Sequence, residues 1–325
     1  MSTEPGRAPS TMRVAAAFTT VYLVWGSTYF FIRLSVEHIP PMLVGAFRYM
    51  PAGLLMLLWC ALTRKKIFSG RVIWPAVVSG LLLLVGGNGL LIWAEQYIPS
   101  SLAAILLASG PIWFVVLDKG KWRENFSSKA TIAGLVVGSI GVLLLFGQRV
   151  INELGEEKGK SGGGDKEMIA LALLVVASIS WAAGSLYSKY KAAGNSNSVN
   201  AGWQMTAAGI AFVICSGVSG EWDHFRPQTV PLISWISVVY LIVMGSLVAY
   251  SAFTWLLQVR PATQVSTHAY VNPVVAVLLG VIFIDERLSW LQLFGLMVIL
   301  ASVLLINLAK YRQTAGRRAY KLKTG

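Results

Sequence analysis

Gln264, His268 and Asn272 recur at i, i+4 and i+8 within one long apolar stretch, a spacing that stacks three polar side chains on a single helical face. An unperturbed imidazole titrates near about pH 6.5, so His268 is the residue best suited to carry a proton there. The same stripe could equally serve as hydrogen-bonding glue between helices, or bind substrate without proton transfer. Arg48 lies inside another apolar stretch, and shifting the sequence by 156 residues places Gln204 on it. Two polar residues at equivalent depth in opposite halves would suit a pair of gates, although an arginine can also snorkel to an interface. Glu95 shares a helix face with Asn88 by the i, i+7 spacing, at a depth one arginine side chain can bridge, so an Arg48–Glu95 ion pair is expected at one gate. A charge in hydrocarbon costs roughly 2.5–3.5 kcal/mol on insertion scales, which makes each of these residues a functional candidate.

Aromatic rings supply wide, rigid apolar contacts with an occasional polar handle, and they attract organic cations. Candidates for the wall of a substrate cavity are Trp25 and Tyr29 with Thr28 beside them, Trp93, Trp181, Tyr187, Tyr250 and Tyr270. Pro111 and Pro273 each remove a backbone hydrogen bond inside an apolar stretch, so paired hinges are expected there. Gly134, Gly138 and Gly141 form a small-residue face suited to close helix approach, within the bundle or between two copies of the chain. Cys60 and Cys215 sit in separate apolar runs and read as small buried packers rather than a disulfide or a metal pair.

Catalysis would need a nucleophile, metal or acid–base constellation. His38, His224 and His268 fall in three separate regions, and neither an H-E-x-x-H nor a G-x-S-x-G pattern occurs. Gly159-Lys160-Ser161 lacks the earlier glycine and the flanking strand of a phosphate-binding loop. No catalytic residue, cofactor or metal is therefore expected. A membrane enzyme acting on lipid and a nontransporting receptor or scaffold remain the alternatives to a carrier.

The elements that must position these residues are membrane helices. Of 325 residues 55% are hydrophobic and 13% charged, against roughly 25% charged in soluble domains, so too few charges remain to coat a soluble surface. Ten stretches approach the roughly 20 apolar residues needed to cross a bilayer core of about 30 Å. They are 13–35, 41–62, 73–97, 100–117, 130–147, 168–188, 199–219, 231–257, 262–284 and 289–309. The first is too long for the apolar core of a cleavable signal and reads as a retained span. Nineteen Lys and Arg fall on the segments that face inward if the N-terminus is cytoplasmic, against seven on the outward loops. Both termini are thus expected in the cytoplasm. The net charge of +13 follows from that asymmetry and from a basic tail over 310–325, which suits anionic lipid rather than nucleic acid.

The chain also aligns with itself. A shift of 162 places Trp93 on Trp255, Pro99 on Pro261 and Pro111 on Pro273, and a shift of 156 places Trp25 on Trp181, Ala52 on Ala208 and Gly53 on Gly209. Five spans is an odd number, so the second copy must cross the membrane upside down. The expected architecture is all-α and integral to the membrane, with ten transmembrane helices in two inverted five-helix repeats. A cytoplasmic tail (1–12), repeat 1 (13–147), an extracytoplasmic Gly-rich linker (148–167), repeat 2 (168–309) and the basic tail follow in order. Inverted repeats are typical of secondary transporters, whose halves open a midplane site alternately to each side.

Trp25-Gly26-Ser27-Thr28-Tyr29-Phe30, Gly87-Asn88-Gly89, Ser180-Trp181 with Gly184-Ser185, and Ala269-Tyr270-Val271-Asn272-Pro273 through Gly280 resemble the drug/metabolite transporter superfamily. Within it they resemble the EamA-type branch and its YedA-type inner-membrane transporters. The resemblance covers nearly the whole chain except the linker and the tails. It implies a ten-helix carrier in the inner membrane, often an exporter of amino acids, nucleobases or foreign compounds. It also implies a cavity lined by spans 1, 3, 4, 6, 8 and 9, which adds Asn88, Ser109, Ser185 and Asn272 to its wall. A small-molecule substrate, membrane lipid, an optional coupled proton and an optional homodimer are the partners that follow.

Overall fold

The computed structural model describes residues 10–98, 103, 106–157, 164–192, 196–284, 290–291, 293–295, 297–306 and 308. Pro99, residues 158–163 and the basic tail lie outside them. The described residues are helical throughout apart from short connections: α1 Thr11–Val36, α2 Pro41–Leu62, α3 Gly70–Ala94, α4 Gly110–Leu117, α5 Lys129–Glu157, α6 Gly164–Lys191, α7 Asn197–Val218, α8 Leu232–Val259, α9 His268–Ile284 and α10 Leu293–Ile306. Six of these (α1, α2, α3, α6, α7 and α8) are long and apolar enough to cross a membrane. The short helix Lys119–Phe126 and the start of α5, bent by 93° to each other, are together long and apolar enough for one broken span or a re-entrant loop. Helix extends through 148–157 and 164–167, where a linker is expected. Glu, Leu and Lys are good helix formers, and a charge that ends the apolar stretch need not end the helix.

Leu54, Leu58 and Trp59 of α2, Ile214 and Val218 of α7, Ile236 and Val239 of α8, and Phe294 and Met297 of α10 are all exposed. Apolar faces of that extent mark contact with lipid. Polar side chains point the other way: Arg48, Glu95, Gln204, His268 and Asn272 are buried. Cys60 is buried as expected, whereas Cys215 is exposed. An apolar run does not distinguish a lipid-facing position from a packed one.

α2 and α7 cross at the centre with little between their backbones. A Cβ on Gly209 would sit 2.6 Å from Met50 Cα, and one on Gly53 would overlap the main chain of Thr206. The contacts are reciprocal under the 156-residue shift, because Met50 corresponds to Thr206 and Gly53 to Gly209. Gly134, Gly138 and Gly141 of α5 face Ile306, Tyr270 and Ile299, so that small-residue stripe is filled inside the bundle by α9 and α10.

Two of the long helices depart from α-helical geometry in their middle. Leu81–Gly89 of α3 and Leu241–Tyr250 of α8 are π-helical. The 162-residue shift carries the first onto the second to within two residues. π-turns are rare and concentrate at functional sites.

Replacing glycine at the α2–α7 crossing should have the opposite effect to replacing it elsewhere on α7. Gly53→Ala and Gly209→Ala are expected to destabilise the protein by about 1–3 kcal/mol through overpacking against backbone. Gly217→Ala, with open space around it, should be neutral or up to about 1 kcal/mol stabilising. Thermal unfolding of the purified variants in detergent checks the contrast.

Candidate functional site

Pro41 opens α2, and the Glu221 carboxylate accepts hydrogen bonds from Met42 N and Leu43 N at 3.2 and 2.9 Å, which fixes the start of the helix. Two turns further on, Arg48 enters the bundle centre with only 3% of its surface exposed. Its Nε donates to Ser246 Oγ at 3.0 Å and its Nη1 to Asn88 Oδ1 at 3.3 Å. The guanidinium thus ties together the π-segments of α3 and α8, and it also lies 4.7 Å from the Tyr49 ring centroid. Gln204 does the matching work from α7. Its Nε2 donates to Ser79 Oγ at 2.8 Å and to Ser188 Oγ at 3.0 Å, while its Oε1 accepts from the Tyr250 hydroxyl at 2.9 Å. Asn88 and Tyr250 are equivalent under the 162-residue shift, so Arg48–Asn88 and Gln204–Tyr250 form one pair of interactions made twice.

Above these crosslinks the rings of Trp25 and Trp181 meet edge to face with centroids 5.4 Å apart. Phe253 and His268 close the cluster, at 4.9 and 5.1 Å from Trp25. Trp25 Nε1 donates to the Gly245 carbonyl of the second π-segment at 3.1 Å. Gly87, in the first, leaves room for the Trp181 ring, 2.8 Å from where a Cβ would stand. The Trp25, Trp181 and His268 rings border a cavity of about 80 Å³ between α1, α2, α3, α4, α6, α8 and α9. That is well under the roughly 300–1,000 Å³ of sites that hold drug-sized ligands.

Of the expected wall residues, Trp25, Thr28, Tyr29, Asn88, Trp181, Tyr250 and Asn272 line this cavity, together with Arg48 and His268. Trp93 instead borders a separate hollow of about 650 Å³ near Glu221. Ser109 is one step behind the wall, accepting from Trp113 Nε1 and donating to Ser178 Oγ, both at 3.2 Å. Ser185 turns back onto the Trp181 carbonyl, and Tyr187 is half-buried away from the cavity lining. Tyr270 is fully buried with its hydroxyl on the Leu135 carbonyl, a packing contact between α9 and α5. Pro273 lies inside α9, but Pro111 occupies the first turn of α4, where a missing N–H breaks no helical bond. The polar stripe is interrupted too: a turn at Ser266 and Thr267 separates Gln264 from His268, and Asn272 Nδ2 approaches His268 Nδ1 at 3.4 Å.

The expected Arg48–Glu95 ion pair does not form. Arg48 is engaged by Asn88 and Ser246, while Glu95 is buried with no hydrogen bond to either carboxylate oxygen. Arg33 reaches the main-chain oxygen of Glu95 at 3.2 Å and pairs with Glu37 at 3.4 Å instead. Depth along a helix fixes height but not the rotation that decides which neighbours meet. Tyr49, Ser178, Gly110 and Phe114 also belong to the wall. Tyr49 follows Arg48 directly, and its large ring in a polar pair is the one signal that pointed to it. The small residues carry none.

At the end of the bundle away from Glu221, Lys189 Nζ donates to the carbonyls of Leu257 and Arg260, and the Tyr190 hydroxyl donates to Asp118 Oδ1 at 2.6 Å. These bonds lace α6 to the ends of α8 and α4. Gln204→Leu should destabilise the fold by about 1–3 kcal/mol, because Tyr250, Ser79 and Ser188 would each lose a buried partner. Tyr250→Phe removes only one of the three bonds and should cost less, as compared by thermal unfolding.

Residues 12–147 and 168–308 each match the EamA-like transporter family. The chain is 35% identical over 302 residues to the uncharacterized inner membrane transporter YedA of Escherichia coli (strain K12), covering 91% of this chain and 90% of that protein. It is 25% identical to the uncharacterized transporter YvbV of Bacillus subtilis (strain 168), covering 93% and 94%, and 26% identical to the protein PecM of Dickeya dadantii (strain 3937), covering 87% and 89%. A crystal structure 19% identical in sequence superposes with a TM-score of 0.73 over 94% of this chain and 99% of its own, which shows a shared fold. Two matches that together span most of the sequence, and an all-helical bundle with lipid-facing apolar surfaces, lead to one conclusion: the chain belongs to the EamA-like transporter family of multi-pass membrane transporters.

Proposed function

We propose that the protein is a secondary carrier that exports small organic metabolites, amino acids or related compounds, or drugs, across the cytoplasmic membrane by alternating access. The observation that carries this reading is the placing of a buried, partly polar cavity where two sequence-related halves meet. Trp25 and Trp181, equivalent under the 156-residue shift, face each other across it. The reciprocal Met50–Gly209 and Gly53–Thr206 contacts support a pseudo-two-fold axis through the bundle, as ten helices in two inverted repeats would have. On this reading 13–147 and 168–309 are the repeats, both termini are cytoplasmic, and the laced Lys189 end is the cytoplasmic gate. Arg48, Glu95, Gln204 and His268 serve gating or coupling, with His268 as the cavity group able to carry a coupled proton. Pro111 and Pro273 are the hinge positions, the basic tail meets membrane lipid, and a homodimer is compatible with the lipid-facing surfaces.

Counterflow into proteoliposomes tests the carrier function. Vesicles preloaded with an unlabelled solute from a panel of amino acids and nucleobases should transiently accumulate the labelled form. Trp25→Ala and Trp181→Ala should each cut the initial rate at least about tenfold, as loss of about 1.4 kcal/mol of substrate interaction requires. Absence of counterflow with every solute in wild-type vesicles would refute the proposal. Cysteine labelling from each side of the membrane tests topology, with a cysteine replacing Ser219 reached from outside and one replacing Lys119 only from within.

A further inference from the structure

Among the described residues, Arg48 is the only charged side chain on the cavity wall, and no carboxylate lies on that wall. No Asp or Glu among the described residues pairs with it, since the ion pairs there join Arg33 to Glu37 and Lys121 to Glu124. Burying a guanidinium without a counter-ion is unfavourable, and neutral hydrogen bonds to Ser246 and Asn88 satisfy only two of its five N–H donors. Other groups on the wall are unsatisfied as well. Trp181 Nε1, His268 Nε2 and Asn272 Oδ1 are buried and have no hydrogen-bond partner. In the tautomer in which His268 Nδ1 accepts from Asn272 Nδ2, Nε2 carries the ring proton. The cavity wall therefore holds an uncompensated cation, and close behind it Trp181 Nε1 and His268 Nε2 as unpartnered donors and Asn272 Oδ1 as an unpartnered acceptor.

We propose that the transported solute is a small organic carboxylate, docked through its carboxylate on the free N–H groups of Arg48. Guanidinium and carboxylate match in shape and charge, and their hydrogen bonds are among the strongest available in a dry site. A single cation neutralises a single carboxylate, whereas a phosphate dianion would leave excess charge buried. The aromatic rings opposite take the apolar part of the solute, and Asn272 Oδ1 takes any donor the solute carries. Cationic compounds are disfavoured by the same field. This inference rests on the carrier reading and narrows it to one substrate class.

The test uses two matched series on the purified full-length protein in nanodiscs. One is butyrate, butyramide and butylammonium. The other is 3-phenylpropionate, its amide and phenethylammonium, with phenyl phosphate added. Calorimetric titration should show binding of an acid from at least one series and tighter binding of it than of its amide or ammonium analogue. Arg48→Gln should weaken acid binding by about thirtyfold or more, the fold-change expected when one partner of a buried charge pair is removed. The order of affinities in wild-type protein needs no variant, so it decides the matter even if Arg48→Gln fails to fold. The proposal is overturned if no acid binds, if the ammonium, amide or phosphate probe binds as tightly as the acid, or if folded Arg48→Gln binds the acid undiminished. Counterflow separates the two levels. Acid binding without counterflow overturns the carrier reading and leaves only the carboxylate site at Arg48 standing, whereas counterflow of an amine or amide but no acid overturns this inference alone.

Discussion

Hydrocarbon offers no hydrogen bonds, so every polar side chain that enters the bundle must be satisfied by another part of the protein or by a ligand. Much of the centre of this molecule follows from that constraint. Arg48 on α2 and Gln204 on α7 each reach from a closely packed helix pair to both α3 and α8. Neither could be removed without stranding the partners it serves. Glycine at the α2–α7 crossing lets the backbones approach closely enough for both side chains to reach. The crosslinks and the crossing therefore act as one unit, and the cavity lies where that unit leaves polar groups unfilled.

The π-segments belong to the same arrangement. A turn closed by i→i+5 bonds holds more residues than an α-turn, which changes the face that residues on either side present. In α3 the segment includes Asn88 and Gly87, which receive Arg48 and the Trp181 ring. In α8 it includes Gly245 and Ser246, which receive the Trp25 indole and the other edge of Arg48. Two helices equivalent in the repeat thus carry the same uncommon geometry at the two places where partners from the other half must dock.

Much of the helical framework was legible in the sequence, because long apolar stretches bounded by charge, Pro or Gly have few alternative meanings in a chain this poor in charge. The equivalence of Trp25 with Trp181 was legible for a similar reason, since identical residues at a fixed offset survive without any knowledge of depth. Rotation about each helix was not. The ion pair expected between Arg48 and Glu95 depended on it. Tyr270 misled for another reason: its hydroxyl can look like a cavity handle in sequence, yet in the bundle it satisfies the Leu135 carbonyl between α9 and α5. Exposure was similarly hidden for Cys215, because lipid and protein interior select the same residue types.

Departures from symmetry are as informative as its presence. Arg48 and Gln204 occupy equivalent positions, but Gln204 is fully buried with both its nitrogen and its oxygen engaged, whereas Arg48 opens onto the cavity with donors to spare. In a bundle of two identical inverted halves, the states facing either side would have equal free energy. One full network and one incomplete network remove that degeneracy, since the state that completes the Arg48 shell differs in energy from the one that does not. A ligand shifts such an equilibrium only through its differential affinity for the two states. On the proposed alternating-access reading, an anion that pairs with Arg48 in one geometry and loses that pair in the other would supply such a difference and so couple occupancy of the cavity to the side on which it opens.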